Sequence, residues 1–438
     1  MKAMIGSREN STVADSMIAD SMISRIHQGH VLGTAAFLTL PMAIFAPKGL
    51  APLFAVAAVG AIAVAVTRDR KLPRLPRRLA TLLGVFAALC GVSALWSVSP
   101  EDTLSTFPSV ALTLLGGLVL VNTGSTMDLE ERDWFEGAVV AGGCAGFGLL
   151  VIELLSGASM TVWLRDLVGK PSINAINPVL LLNSATTVAA LYVWPCVWVA
   201  WYRRWWLAFA GLLAGALACA FLAQAGAPFA GLACGAVLFA AVVSGPRVVP
   251  AVFAAFLVAG VATAPLIPGW VHTAVGDVGE PGPMSYSGYH RLIIWEATAN
   301  HIRNRPVLGH GFDTARALYD SSDRRMNYRF RADGTLWWKS HFEPIPLHPH
   351  NAILQIWLEL GIVGASMMLG MLLVIVAAVA VAVRNRLDKA FGLGVLGSAV
   401  FISSVSFGIW QAWWMGALAL LAAFCVGALP PSGGQRPD

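Results

Sequence analysis

The feature that most constrains this chain is a succession of apolar runs, each close to the roughly 20 residues that a helix needs to cross a bilayer. Hydrophobic residues make up 57% of the chain and charged residues 12%, which excludes an ordinary soluble domain. Lipid offers no partners to backbone polar groups, so such runs must be helical. We therefore predict an all-α, polytopic integral membrane protein with about 12 transmembrane helices. The runs lie at about 31–47, 49–67, 79–98, 107–122, 136–156, 178–201, 206–222, 227–244, 249–267, 353–383, 391–408 and 410–428.

Short basic connections predict the orientation of the chain. Arginines and lysines crowd the connection at 68–78 and recur at Arg203, Arg204, Arg247 and Arg386. Cytoplasmic loops carry an excess of these residues, so we place these connections and both termini inside. The net charge of +5 then results from basic residues in the cytoplasmic connections, and it does not indicate a nucleic-acid partner. The predicted regions are a cytoplasmic tail (1–30), helices one to nine (31–267), a long outer loop (268–350), helices ten to twelve (351–430) and a second cytoplasmic tail (431–438).

The most informative stretch lies where the outer loop ends. His348, His350 and Asn351 precede an apolar run, with a proline between the two histidines. A helix should begin just after that proline, and Asn351 is a good N-cap. Asn351, Gln355 and Glu359 recur every four residues, so they share one helix face. Such a stripe should face the protein interior or water; Gln355 and Glu359 then either lock the helix in its bundle or orient a catalytic group.

The outer loop itself is rich in arginine and tryptophan. Apolar residues, Trp295 among them, recur there at helical spacing, with Arg291 and Arg303 on the polar flank. This pattern predicts an amphipathic helix at the membrane interface. Guanidinium groups bind phosphate in a bidentate manner, so Arg291, Arg303 and Arg305 are candidates for an anion cradle. The alternative is that the loop arginines pair with nearby aspartates or with lipid phosphates.

The end of the loop and the helix after it resemble the O-antigen ligase and polymerase superfamily of bacterial envelope glycosyltransferases. The ligase signature of that family is a His, then Asn or a similar polar residue, nine residues, Gly, two residues and Gly. Here it reads His350-Asn351, nine residues, Gly361, two residues and Gly364.

A second family motif lies upstream of this signature. The family has an Arg, a Trp four residues later, and then a Pro ahead of a Gly-x-Gly turn; here these are Arg291, Trp295, Pro306 and Gly309-His310-Gly311. The two motifs together cover about 75 residues in the right order. The resemblance implies a GT-C-like all-α membrane fold with a long, helical periplasmic loop.

The chain lacks one arginine that the family usually has. The family usually has a further outer arginine ahead of the long loop, but no arginine stands between Arg204 and Arg247 here. Arg165, Lys170 or an arginine of the long loop could supply that charge. The sequence leaves these alternatives open.

The resemblance implies transfer of a glycan from an undecaprenyl diphosphate carrier to a second lipid-anchored molecule at the periplasmic face of a bacterial inner membrane. The acceptor hydroxyl must lose a proton, which a histidine with an ordinary pKa of about 6.5 can accept. The departing diphosphate must be stabilised, which fixed arginines can do. We therefore predict His350 as general base with help from His348, Arg291 on the diphosphate, and inversion at the anomeric carbon. The other predicted substrate-binding residues are Trp295, Arg303, Arg305, Asn351, Gln355 and Glu359.

Three functional interpretations compete. The leading one is an O-antigen ligase that is embedded in the lipid bilayer and joins the glycan to lipid A–core on the periplasmic side. No metal or other cofactor is expected, since neither the cysteines nor the two histidines have metal-ligand spacing. A polymerase or a protein O-oligosaccharyltransferase would use the same chemistry on another acceptor. A transporter or flippase would explain the spans and the intramembrane polar residues, but not an arginine-rich loop that leads to His350.

Overall fold

A computed structural model describes residues 26–68, 70, 75–170, 177–245, 247–275, 286–318, 325–331, 333–342, 347–383 and 385–430. The predicted C-terminal tail (431–438) and nearly all of the N-terminal tail (1–30) therefore lie outside the described residues.

Fifteen α-helices and two strands make up the described part of the chain. The first eight helices are α1 (Gln28–Phe45), α2 (Leu50–Thr67), α3 (Arg77–Val92), α4 (Pro100–Thr126), α5 (Leu129–Leu155), α6 (Ser159–Leu167), α7 (Asn183–Tyr202) and α8 (Trp206–Leu222). The remaining elements are α9 (Gly226–Ser244), α10 (Val249–Thr263), α11 (Ile267–Val275), α12 (Tyr286–Asn304), β1 (Arg325–Phe330), β2 (Leu336–Phe342), α13 (Ala352–Ala382), α14 (Arg386–Ser403) and α15 (Ala412–Ala428).

Every predicted apolar run overlaps one of these helices, which confirms the all-α membrane fold. By length and composition, eight of the described helices could cross a membrane, or nine if α10 and α11 form one span with an 84° bend. The apolar helices α8 and α15 are shorter, at 17 residues each, or about 25 Å of helix. The number twelve therefore stays a prediction.

The outer loop adds one element that the sequence analysis missed. Strands β1 and β2 form an antiparallel hairpin in which Met326 pairs with His341 and Tyr328 with Lys339. Gly334 has a positive φ of 81° in the connecting turn. Aromatic residues favour strands and are frequent here, yet the loop was expected to contain helices alone.

The chain divides into two compact units, each described here by itself. The first comprises Met1–Pro76, Leu115–Leu222 and Gly416–Asp438. Its helices α1 and α5 pack closely because small residues line the contact: a Cβ at Gly142 would meet the backbone of Phe37 at 2.5 Å. Buried polar groups are satisfied across helices, as where the Tyr192 hydroxyl donates to the Ala36 carbonyl at 2.6 Å.

The second unit comprises Arg77–Leu114 and Ala223–Met415 and contains all nine predicted site residues. One apolar core joins α3, α10 and the first half of α13 to the loop after α12, with Phe312, Trp357 and Trp410 as its large members. A second core, farther along α13, joins α9, α10 and α14 through residues such as Val242 and Val376. The first core carries the candidate site.

Candidate active site

Helix α13 begins where the sequence predicts. Asn351 has an extended backbone, and its side chain accepts a hydrogen bond from the Leu354 N–H at 3.0 Å. It therefore caps the helix and satisfies one of the N–H groups that have no partner within the first turn. The two histidines stand directly before this cap.

Helix α13 is broken at Gly361, whose φ of 61° and ψ of −159° are far from helical values. The break interrupts the ladder of helical hydrogen bonds and leaves carbonyls free for other donors. The His310 N–H donates to the Leu358 carbonyl and the Gly311 N–H to the Glu359 carbonyl, each at 2.9 Å. The Gly-x-Gly turn of the outer loop is thus hydrogen-bonded into the broken helix.

Glycine is required on both sides of this junction. Gly309 has a φ of 69°, and a Cβ there would overlap the Glu359 carbonyl. A Cβ at Gly361 would overlap the carbonyl oxygen of Val307. The glycines of two motifs that are some 50 residues apart in the sequence are therefore required for the same reason, which is that two backbones approach each other closely.

Glu359 is fully buried and cross-links three parts of the second unit. One carboxylate oxygen accepts from the Gln355 amide at 3.0 Å. The other accepts from the Asp313 N–H at 2.8 Å and from the Trp410 indole at 2.5 Å. Both oxygens are thus used within the protein, which supports the interpretation that Glu359 locks the helix in place.

Gln355 uses both ends of its amide as well. The amide nitrogen donates to Glu359, and the amide oxygen accepts from the Ile409 N–H at 3.0 Å. Residues 404–411, which connect α14 to α15 and which we call the orienting segment, are therefore tied to α13 through Gln355 and Glu359. The sequence analysis assigned this segment to two membrane helices and so missed the non-helical connection. Its polar residues, such as Ser406 and Gln411, were the signal that could have indicated it.

The orienting segment fixes the ring of His350. The His350 Nδ1 lies 2.6 Å from the backbone carbonyl of Ser406. A carbonyl oxygen can only accept, so Nδ1 carries the ring proton and Nε2 keeps its lone pair. Burial lowers the pKa of His350 from its ordinary value of 6.5; the hydrogen bond to Ser406 opposes this, and the nearby positive charge of Arg291 lowers the pKa further. His350 is thus a neutral imidazole with an unprotonated nitrogen.

His348 is held differently. Its Nε2 lies 2.8 Å from the amide nitrogen of Gln411, whose amide oxygen accepts from the Trp413 indole at 2.9 Å. The amide nitrogen must therefore be the donor, and the lone pair on the His348 Nε2 is already engaged. Burial, followed by the charges of His350 and Arg316, lowers the pKa of His348 to about 4. His348 packs its ring at 4.4 Å from that of His350 and is the weaker candidate base of the two.

Helix α12 brings Arg291 and Trp295 to the same place. Arg291 donates to the Ser287 hydroxyl at 2.6 Å, and its positive charge contributes to the lowered pKa of His350. One turn later, the Trp295 indole donates to the Pro349 carbonyl at 2.9 Å and so fixes the backbone between the two histidines. The spacing of four residues puts both side chains on one helix face.

Two predicted substrate-binding arginines are not brought to the histidines by any contact among the described residues. Arg303 is exposed and donates to the side chain of Asn300. Arg305 is exposed and donates to the Trp96 carbonyl at 3.3 Å. Their proposed contact with substrate stays a prediction without structural support.

Another arginine of the loop acts electrostatically on His348, and the sequence analysis did not single it out. Arg316 lies in a short turn directly after the Gly-x-Gly turn, and its positive charge contributes to the lowered pKa of His348. It pairs with Asp313 at 3.2 Å, and Thr106 donates to that carboxylate at 2.6 Å. Burial is the main cause that raises the pKa of Asp313. The Arg316 side chain remains 47% exposed and has donors left for an anion.

The direction of the His350 pKa shift predicts a pH profile for any reaction in which this ring accepts a proton. Only the neutral ring can do so, and its pKa lies below 6.5, so activity should rise with pH through a midpoint below 6.5 and then level off. In Arg291→Gln a positive charge that lowers this pKa is lost, so the midpoint should move to higher pH. Rates measured across this range with both proteins provide the check; identical midpoints would contradict the assignment.

These features define a multi-pass membrane protein whose candidate site is built from helix α12, a Gly-x-Gly turn and the broken helix α13. Residues 175–369, from just before α7 to the middle of α13, match the family model of the O-antigen ligase. This match, together with the relatives described next, supports the assignment to the O-antigen ligase family that the motifs predicted.

Relatives extend the likeness beyond that stretch. Proteins of Rickettsia bellii and Rickettsia felis, each described as a putative polysaccharide ligase, are 24% and 25% identical to this chain over 337 and 341 residues. Each match covers 76% of this chain and 76% of the relative. A protein of Rickettsia typhi with the same description is 35% identical over 130 residues, which is 30% of this chain and 29% of the relative. The family supports an enzyme of the polysaccharide ligase type.

Proposed function

We propose that this protein is an O-antigen ligase, which transfers a glycan from undecaprenyl diphosphate to lipid A–core at the periplasmic face of a bacterial inner membrane. The observation that carries the proposal is the His350 ring, whose Nδ1 is bound to the Ser406 carbonyl and whose Nε2 lone pair is available beside Arg291. A base and a cation at one place are what glycan transfer from a diphosphate requires.

The reaction needs one bond to form and one to break. The acceptor oxygen attacks the anomeric carbon of the glycan while the Nε2 atom of His350 takes the hydroxyl proton. The bond between that carbon and the diphosphate oxygen breaks, and its electron pair leaves with undecaprenyl diphosphate. Attack from the side opposite the leaving group inverts the anomeric configuration.

The leaving diphosphate gains negative charge as it departs, and two guanidinium groups flank the histidine pair. Arg291 acts electrostatically on His350, and Arg316 on His348. We therefore propose that Arg291 and Arg316 together hold the two phosphates, with Arg316 in place of the upstream arginine that the family usually has. Guanidinium groups held in advance stabilise developing charge without reorganisation during the reaction.

The other predicted substrate-binding residues have a better-supported role as positioning residues. Asn351 caps α13, Trp295 binds the Pro349 carbonyl, and Gln355 with Glu359 holds the orienting segment. Each of these residues forms its hydrogen bonds with the part of the protein that surrounds the two histidines. The proposal requires no metal ion or other cofactor.

Replacing Arg291 tests the diphosphate assignment. Arg291→Gln should weaken binding of the carrier diphosphate by about 10-fold to 100-fold, because hydrogen bonds to charged groups contribute about 1.5–3 kcal/mol. Arg291→Lys should recover part of the loss, since it restores the charge but not the two-pronged geometry. Affinity for undecaprenyl diphosphate, measured with purified protein in detergent, provides the readout.

The matched control for this measurement is Arg331→Gln, which removes an exposed arginine from the hairpin turn of the same loop. It should bind the carrier as the unaltered protein does. Equal affinity in Arg291→Gln and Arg331→Gln would remove Arg291 from the proposed diphosphate site.

The proposed function as a whole is tested in a strain that lacks the gene. Loss of high-molecular-weight lipopolysaccharide, with polymer accumulating on the carrier, is the expected result. Lipopolysaccharide that carries single repeats would point to a polymerase, and loss of a glycosylated protein to a protein O-oligosaccharyltransferase. Movement of the lipid-linked glycan in proteoliposomes without bond formation would contradict the proposal in favour of a transporter.

A further inference from the structure

A groove lies along the C-terminal half of α13. It has a volume of about 1110 Å³ and an apolar wall formed by α10 and α13 together with Val242 of α9. Small and branched side chains such as Ala251, Ala254, Val376 and Ala377 make up this wall. Its shape and lining suit a hydrocarbon chain rather than a sugar.

The mouth of this groove is strongly basic. Arg247, Arg386 and Lys389 line it, and no acidic side chain is among the lining residues. The neighbouring Asp388 is buried at 3% exposure and does not line the groove. The groove therefore combines an apolar wall with three positive charges at one end.

The three cations have different partners. Arg386 donates to the carbonyls of Val242 at 3.0 Å and Gly245 at 2.8 Å, so it closes the C-terminal end of α9. Arg247 and Lys389 form no ion pair with any residue that the structure describes. Arg386 thus builds the mouth, and Arg247 and Lys389 are available to a ligand.

The groove is separate from the histidine site. The histidines stand just before Ala352, the first residue of α13, and the groove lies around Ala377, near the end of that helix. The two sites therefore lie toward opposite ends of α13. The basic mouth belongs to the connections that the sequence analysis places on the cytoplasmic side.

We propose that this groove binds an anionic phospholipid, with one acyl chain along the apolar wall and the headgroup phosphate between Arg247 and Lys389. Basic pockets between membrane helices bind anionic lipid headgroups in this way. A soluble anion would gain nothing from the apolar wall, and a neutral lipid would leave the two cations without a partner. The proposal is independent of the function proposed for the histidine site.

The test uses the full-length protein, delipidated in detergent and titrated with phosphatidylglycerol or with phosphatidylcholine. Phosphatidylglycerol should bind at least about 10-fold more tightly and raise the thermal unfolding midpoint. The double variant Arg247→Gln/Lys389→Gln should lose this preference. Its matched control, Arg77→Gln/Arg78→Gln, removes two exposed arginines from the start of α3, outside the groove, and should keep the preference.

Each other outcome would overturn the proposal. Equal binding of the two lipids would show that the cations take no part. Undiminished preference in Arg247→Gln/Lys389→Gln would place the lipid elsewhere. Displacement of bound phosphatidylglycerol by inorganic phosphate alone would assign the cations to a soluble anion instead. If the double variant unfolds, the single variant Arg247→Gln should show a reduced preference for phosphatidylglycerol, and an undiminished preference in that variant would equally overturn the proposal.

Discussion

Replacement of His350 by alanine is expected to slow the proposed glycan transfer by about 100-fold or more, because a positioned general base contributes about 10²–10⁴-fold. The Nε2 atom of this imidazole can accept a proton, whereas the lone pair on the Nε2 atom of His348 is engaged by Gln411. His350→Gln should be equally slow, since an amide cannot act as a base at neutral pH. The measurement is the rate of single-turnover transfer by purified protein from a lipid-linked donor.

Two features separate loss of a base from loss of structure. The thermal unfolding midpoint of His350→Gln should stay close to that of the unaltered protein, and the slow remaining reaction should no longer fall at acidic pH. His272→Ala provides the control, because that histidine pairs with Glu296 at a half-exposed position where an ion pair contributes little. Transfer at the normal rate by His350→Ala would end the assignment of this residue as the base.

Gly361→Ala is expected to destabilise the protein severely. The backbone of Gly361 has a φ of 61° and a ψ of −159°, a region that is essentially restricted to glycine. Strain of this kind costs about 1–3 kcal/mol, and overlap of the new Cβ with the Val307 carbonyl would add to it. The junction with the Gly-x-Gly turn should separate, so both the unfolding midpoint in detergent and the transfer rate should fall.

Helix α13 supplies a matched control. Gly370 lies nine residues farther along, has nothing within 4 Å of the position of a Cβ, and stands in regular helix. Gly370→Ala should leave transfer unchanged and should not lower the unfolding midpoint, because alanine has a higher helix propensity than glycine. A Gly361→Ala protein as stable as Gly370→Ala would show that the break in the helix is not required for the fold.

The parts of the site that could be predicted from the sequence are those that depend on local periodicity and capping. Asn351 precedes a long apolar run, and this suffices to predict a helix that starts at Ala352. The spacing of Gln355 and Glu359 places both on one face, and the structure has them on the same hydrogen-bonded network. Helix α12 was predicted in the same manner, from apolar residues such as Trp295 at helical spacing, and its position at the membrane interface stays a prediction.

The parts that could not be predicted depend on contacts between distant segments. His350 is oriented by the backbone carbonyl of Ser406, and a carbonyl has no signature in the sequence because every residue carries one. The sequence analysis chose Arg303 and Arg305 from one basic loop and passed over Arg316. In the structure Arg316 contributes to the lowered pKa of His348, whereas Arg303 is exposed and donates to Asn300.

In the proposed transfer reaction, the contact between the His350 ring and the Ser406 carbonyl determines how the base is regenerated after each cycle. A carbonyl cannot carry a hydrogen onward, so a proton that arrives on Nε2 has no exit through the opposite side of the ring. It must depart through the same nitrogen that received it, toward whatever medium reaches that atom after the products have left. Regeneration of the neutral imidazole is therefore coupled to product departure, and water that enters the emptied site accepts the proton.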